Sequence, residues 1–176
     1  MTQKDIKRTI KEYFFINPTA KLRVREIERM LKLPLPSVIR YCRELEKENI
    51  LAFHKIGSVT FYTASRSERY FLEKKLYNIK QLYESGLIDY LKIELSNPAI
   101  VLFGSYAQGE DTENSDIDLY LETPSKKQIN LEKFKRILQR EIQLFQHKNI
   151  QEISNLHLAN NIINGITLNN YIEVFR

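Results

Sequence analysis

Cysteine is almost missing from this sequence. Cys42 is the only one, which excludes a disulfide within the chain and any cysteine-based zinc cage. No apolar run approaches the ~20 residues that a membrane-spanning helix needs. The opening MTQKDIKRTI is charged and lacks the apolar core of a signal peptide. His54, His147 and His157 are scattered without ligand spacing, so none of them marks a metal site. These absences lead to the expectation of a cytoplasmic protein that makes no use of a membrane. What is present is a globular composition, 43% apolar and 28% charged, in 176 residues. That length suffices for one compact domain or two small ones.

The net charge of +5 is unevenly spread. Residues 1–66 hold 14 Lys and Arg against 7 Asp and Glu, a net +7, so the remainder carries −2. The basic excess belongs to the first third, and such asymmetry points that part toward a polyanion.

Within that third, Ile6, Ile10, Tyr13 and Phe14 recur at helical spacing over residues 4–16, and Asn17-Pro18 ends the helix. LRVREIERMLKL predicts a second helix with Val24, Ile27, Met30 and Leu31 on one face. LPLPSVIRYCRELEKENIL predicts a third. Pro34 and Pro36 suit its first turn, where an amide proton is not needed, and Val38, Cys42 and Leu45 form its buried stripe. Cys42 on that stripe reads as a small hydrophobe. Ile50 to Ile56 and Val59 to Thr63 flank Gly57-Ser58, a two-residue hairpin signal. Three short helices and a hairpin resemble a winged helix-turn-helix domain. The resemblance implies duplex DNA binding, with Ser37, Arg40, Tyr41 and Arg43 exposed on a recognition helix and Lys55 as the wing contact. A small helical domain that binds protein is the competing reading.

From Ser67 to about Ser85 there is no helix breaker, and Leu72, Leu76, Ile79 and Tyr83 recur at spacings of four, three and four. Leu87, Tyr90, Leu91 and Leu95 resume an amphipathic pattern that stops at Asn97-Pro98. This connector packs within the chain or forms a dimer seam, and a homodimer is expected.

The chemistry lies beyond it. AIVLF is a run of strand length that leads into Gly104-Ser105, where loop amides and a hydroxyl can donate to phosphate oxygens. A helical turn there would add its N-terminal amides. After the polar loop GEDTENS comes Asp116-Ile-Asp118-Leu-Tyr-Leu. With Ile117 and Leu119 inward on a strand, Asp116 and Asp118 share the other face, suited to hard magnesium ions. Gly-Ser, ten intervening residues and Asp-x-Asp, with a strand on each side, resemble the DNA polymerase beta-like nucleotidyltransferases, most closely their minimal branch. The resemblance covers about residues 85–176. It implies that Gly104 and Ser105 contact a nucleotide, and that Asp116 and Asp118 hold two magnesium ions. It also implies nucleoside triphosphate, with ATP expected, as substrate. Ser115 is counted with the nucleotide contacts, as a residue that orients the loop.

The pattern implies a third carboxylate on a later strand. The helix LEKFKRILQR, with Leu131, Phe134, Ile137 and Leu138 inward, leads into the strand REIQLFQHK, and Gln143 stands where that carboxylate belongs. An amide brings no negative charge and accepts no proton. Glu141, two residues earlier on the same face, is the candidate substitute. Ile150–Arg176 is expected to hold a short helix, a helix over Leu156–Asn164 and a closing strand at Tyr171–Phe175.

The expected fold is α+β: a winged helix-turn-helix over 1–66, a helical connector over 67–97, and a mixed sheet flanked by helices over 98–176. Two functions follow. One is a DNA-binding protein that transfers a nucleoside monophosphate to a partner protein's hydroxyl. The family resemblance suggests an antitoxin acting on a HEPN-type toxin, and no large second domain for another acceptor is evident. The other is a transcription regulator whose nucleotidyltransferase fold serves as a nucleotide sensor or dimerisation module.

Overall fold

The structure, a computed structural model, describes residues 6–175, so the first two residues of the 4–16 helix lie outside the described part. The chain divides into two compact units, Met1–Tyr77 and Asn78–Arg176. The stretch expected as a connector is shared between them.

In the first unit, α1 (Ile6–Ile16), α2 (Val24–Leu31) and α3 (Leu35–Lys47) precede the hairpin β1 (Leu51–Ile56) and β2 (Val59–Ala64). The α1 periodicity buries Ile10, Phe14 and Phe15. At the start of α2, the Glu26 carboxylate accepts the Arg23 N–H at 2.7 Å and satisfies one otherwise orphaned amide. The helix has only eight residues and buries only Ile27. Met30, expected inward, is 53% exposed. Pro34 caps α3, Pro36 lies in its first turn, and Val38, Cys42 and Leu45 are fully buried. Burying side chains of this size contributes about 1.5–3 kcal/mol each, and that term holds α3 in place. The hairpin pairs Leu51 with Ala64 through Ile56 with Val59, and Gly57 takes φ +59 in the turn. Leu22 adds a backbone bridge to Tyr62.

The helix α4 (Glu68–Glu84) begins in the first unit and ends in the second. Its buried side chains are Tyr70, Lys74, Asn78 and Leu82, at a spacing of four. The expected stripe is displaced: Leu72 is 50% and Leu76 58% exposed, and Tyr83 is exposed as well. Tertiary partners decide this. Tyr70 stacks edge-on against Phe15 and donates its hydroxyl to the Phe14 carbonyl at 2.9 Å. Glu73 is paired with Lys11 at 2.7 Å.

The second unit continues with α5 (Leu87–Glu94), β3 (Ala99–Phe103), α6 (Gly104–Gln108), β4 (Ile117–Glu122), α7 (Glu132–Leu138) and β5 (Ile142–His147). A short 3-10 turn at Ile150–Glu152, α8 (Leu156–Ile163) and β6 (Ile166–Asn169) complete it. The sheet order is β5-β4-β3-β6, with β3 antiparallel to both neighbours and β4 parallel to β5 across the α7 connection. All five residues of β3 are buried, as befits a central strand covered on both faces. Ile100, Leu102, Ile117, Leu119 and Leu121 pack into one core, and Val101, Phe103 and Tyr120 into the other.

Two expectations fail here. Ile137 is half exposed, because α7 anchors itself through Phe134 and the preceding Leu131. The closing strand is Ile166–Asn169, whereas Tyr171–Phe175 forms none and leaves Tyr171 and Phe175 exposed. Asn169 and Asn170 turn the chain away by donating to the Pro98 carbonyl at 2.6 Å and the Asn97 carbonyl at 2.7 Å. Among the described residues no helix is long and apolar enough to cross a membrane.

Candidate functional site

The last residue of β3, Phe103, pairs in register with Asp118 on β4. The next residue, Gly104, takes φ +74 and turns the chain into the single helical turn α6. A Cβ built on Gly104 would lie 2.5 Å from Asp118 Oδ2, so the carboxylate rests over a bare α-carbon. Glycine is required there twice, for its φ and for its missing side chain. Ser105 follows, and its hydroxyl has no partner among the described residues, while its carbonyl receives the N–H of Glu110 at 3.0 Å.

Asp116 and Asp118 sit where the alternation places them. Ile117 and Leu119 are fully buried, Asp116 is exposed and Asp118 is half-buried. Neither carboxylate has a hydrogen-bond or ion-pair partner among the described residues. Burial, with the Asp116 charge adding to it, raises the Asp118 pKa above the usual carboxylate range. Two adjoining carboxylates with no internal cation are chemically suited to an external one.

The loop between the glycine and the aspartates is braced from within. The Ser115 hydroxyl accepts the Thr112 N–H at 2.9 Å, and the Ser115 N–H donates to the Thr112 carbonyl at 3.2 Å. Asp111 is almost fully buried. Its Oδ1 accepts from Asn78 Nδ2 at 2.8 Å, and Arg140 Nη2 lies 3.8 Å from Oδ2. Asn78 also donates to the Tyr106 carbonyl at 2.9 Å, which ties α6 and the loop to one side chain. The sequence reading missed Asn78, Asp111 and Arg140. Nothing in GEDTENS distinguishes the buried acid from its neighbours, and a polar position on an amphipathic helix reads as solvated.

Gln143 pairs in register with Asp118, so the amide stands directly across from the carboxylate. Glu141 does not fill the gap. Its carboxylate is held by Lys135 Nζ at 2.6 Å, and the side chain is largely exposed. Among the described residues no group of three or more His, Cys, Asp or Glu side chains is placed to hold a metal. The donors present therefore fit one magnesium ion at Asp116 and Asp118, and lack the third carboxylate that a second ion would require.

A strand, a one-turn Gly-Ser helix and an Asp-x-Asp strand at the end of a mixed sheet define an α+β domain. Residues 84–165 match the family model described as nucleotidyltransferase domain. No curated protein and no solved structure matches the chain.

The residues singled out in the first unit fall on two faces of α3. Arg40 and Arg43 are exposed, while Ser37 and Tyr41 are half-buried. The Arg40 guanidinium lies 4.3 Å from the Tyr41 ring centroid and bonds its hydroxyl, so the two side chains cover each other. Lys55 is exposed near the hairpin turn. Lys47, which the sequence reading passed over, is exposed one turn beyond Arg43. Burial pushes the Cys42 thiol up to about 12, in keeping with an inert core residue.

Proposed function

We propose that the second unit binds a nucleoside triphosphate with magnesium, ATP being the expected one, and transfers its nucleoside monophosphate to a hydroxyl of a partner protein. The observation that carries this reading is the pair Asp116 and Asp118, without a cation of their own, beside Gly104 and the unpartnered Ser105 hydroxyl. Asp116 and Asp118 hold the ion, and Ser105 donates to a phosphate oxygen. Bound magnesium supplies charge neutralisation at the phosphates. The acceptor oxygen bonds to the α-phosphorus as the bond to pyrophosphate breaks. The hydroxyl proton leaves to solvent, because Gln143 cannot take it and Glu141 is occupied by Lys135. A HEPN-type toxin is the acceptor that the family resemblance suggests.

A second reading, a nucleotide sensor or dimerisation module without turnover, is favoured by the register that sets Gln143 opposite Asp118. Incubation with labelled ATP, CTP, GTP and UTP, magnesium and the product of the neighbouring gene separates the two. Label on that protein supports transfer. Nucleotide-dependent thermal stabilisation without label supports the sensor, and neither signal refutes both.

For the first unit we propose a winged helix-turn-helix role in duplex DNA binding, supported by the exposed Arg40, Arg43 and Lys55 and by the net +7 of residues 1–66. Affinity for duplex DNA should fall steeply with salt, since each neutralised phosphate releases counterions. Salt-insensitive binding, or none at 50 mM-range ionic strength (about the low end of the usual titration), refutes it. The exposed Leu72 and Leu76 on α4 support the expected homodimer.

A further inference from the structure

A concavity of the first unit, about 910 Å³ in volume, lies between α3 and the hairpin. Its apolar lining comes from Val24, Leu35, Ile39, Phe53 and Tyr62. Ile39 is 36% and Phe53 44% exposed, so two large hydrophobic side chains face water at its mouth. The rim is charged: Arg25, Arg43 and Lys47 against the single acid Glu46. None of the three cations has an ion-pair partner among the described residues.

The helical wheel of α3 places this cleft beside the face that carries Arg40, with Arg43 and Lys47 on the boundary between them. Val38, Cys42 and Leu45 point into the core, and Leu35, Ile39, Arg43 and Glu46 lie one strip further round, toward the hairpin. On β1 and β2, Phe53 and Tyr62 are cross-strand partners, their rings 5.4 Å apart, and they form the opposite wall. An apolar trough with a cationic lip calls for an occupant that brings apolar side chains and carboxylates together. Duplex DNA supplies the anions but nothing that would cover Ile39 and Phe53. A second copy would set the net +7 of residues 1–66 against an equal charge.

We propose that this cleft receives an acidic amphipathic helix of a partner protein, its apolar face on Ile39 and Phe53 and its carboxylates against Arg25, Arg43 and Lys47. Recognition then follows the helix-in-groove mode, with anchors at i, i+3 or i+4, and i+7. The rim charges set the sign of the partner and the apolar lining supplies most of the affinity. The inference does not rest on the nucleotide reading, and it competes with the DNA reading for Arg43.

The test uses the full chain with labelled isoleucine methyl groups and three synthetic helical peptides of one design. The first carries Leu and Phe anchors among Glu residues, the second replaces Glu by Lys, and the third replaces the anchors by Ser. The first peptide should shift the Ile39 methyl signal, and Ile39→Glu or Phe53→Glu should weaken its binding by about tenfold or more. Both positions are surface-exposed, and the melting temperature of each variant checks that it folds. Reversal of the rim, Arg25→Glu with Arg43→Glu and Lys47→Glu, should transfer binding from the acidic to the basic peptide. The proposal is overturned if the acidic peptide leaves Ile39 unshifted, or if the Ser peptide binds equally well. It is also overturned if duplex DNA shifts Ile39 and displaces the acidic peptide while the rim reversal fails to change peptide preference. Arg40→Ala separates this site from a DNA surface, since it should lower DNA affinity and leave the acidic peptide unaffected.

Discussion

A methyl group at Gly104 tests the site more sharply than removal of a carboxylate, because it should separate stability from ion binding. Gly104→Ala meets two obstacles. The first is φ +74, which costs a residue with a Cβ roughly 1–2 kcal/mol. For a chain of this size that is a fall of about 2–8 °C in melting temperature. The second is the Asp118 carboxylate, whose Oδ2 would be 2.5 Å from the new carbon and must retreat to the 3.4 Å of an ordinary contact. The retreat, 3.4 − 2.5, is about 0.9 Å. A short carboxylate side chain can rotate that far at little cost in stability, but it cannot do so and keep an ion that demands ~2.1 Å ligand distances in near-octahedral geometry. Magnesium-dependent nucleotide binding should therefore weaken by at least about tenfold, and up to a hundredfold if the displacement is not absorbed elsewhere.

Gly86→Ala supplies the control. Gly86 has φ +77, nearly the same backbone demand, but a Cβ there would meet nothing within 4 Å. It should lose comparable stability and bind magnesium-nucleotide as the unaltered chain does. Calorimetric titration of magnesium with a non-hydrolysable triphosphate, alongside thermal melts, reads both quantities. If Gly104→Ala binds within twofold of the unaltered chain, Asp118 is not an ion ligand in its present seat. If Gly86→Ala loses binding equally, the effect is one of stability alone.

Asp118→Asn should raise the melting temperature of the nucleotide-free protein at pH 7. The folded-state pKa of Asp118 is raised by burial and by Asp116, so its ionisation opposes folding above that pKa and not below the unfolded value, and the advantage of Asn should vanish as the pH falls through this range. An unchanged melting temperature at pH 7 would refute the burial of an unpaired charge. Gln143→Asp, in register with Asp118, should increase the label-transfer rate and add a second magnesium equivalent in titration; a variant with unchanged stoichiometry contradicts the single-ion reading. Cys42, with its thiol near 12 and fully buried, should react with an aromatic disulfide reagent at pH 8 only on the timescale of unfolding, and prompt reaction in the folded protein would contradict its position.

What could be read from the sequence was whatever a single element decides by itself. Val38, Cys42 and Leu45 carry their own helical period, and AIVLF has too few polar atoms to be anything but a covered strand. The Asp-x-Asp alternation likewise needs only the strand's own pleat to put both carboxylates on one face. What could not be read was decided between elements. On α4 the apolar pattern of Leu72, Leu76 and Tyr83 was the visible one. The buried face is nevertheless the half-polar Tyr70, Lys74, Asn78 and Leu82, because Asn78 finds the Tyr106 carbonyl and Asp111 across the fold. A hydrogen-bonded amide can be buried where an unpartnered one would cost ~1–3 kcal/mol, and no local pattern announces its partner. The last strand is the same kind of case. Ile166–Asn169 and Tyr171–Phe175 are both β-prone. Gly165, whose Cβ would come within 2.6 Å of the Leu102 carbonyl, lets only the first reach the edge of β3.

The same distinction governs the third carboxylate. Register puts Gln143 beside Asp118, and the strand pattern around Gln143 could anticipate that much. It could not anticipate that Glu141, the nearest replacement, is drawn the other way by Lys135 on the preceding helix, an attraction whose cause is the α7–β5 connection and not the strand. The charge balance follows from that geometry. Asp116 and Asp118 bring two negative charges, enough for one divalent ion, while a second ion would rely on the triphosphate and a neutral amide. An exposed ion pair such as Lys135–Glu141 contributes little, so it is a weak lock on Glu141. A negatively charged triphosphate near Lys135 would compete with Glu141 for that lysine. The vacancy is thus chemical before it is structural: Gln143 fixes how many charges the strand itself can offer, and Lys135 decides whether Glu141 can add another.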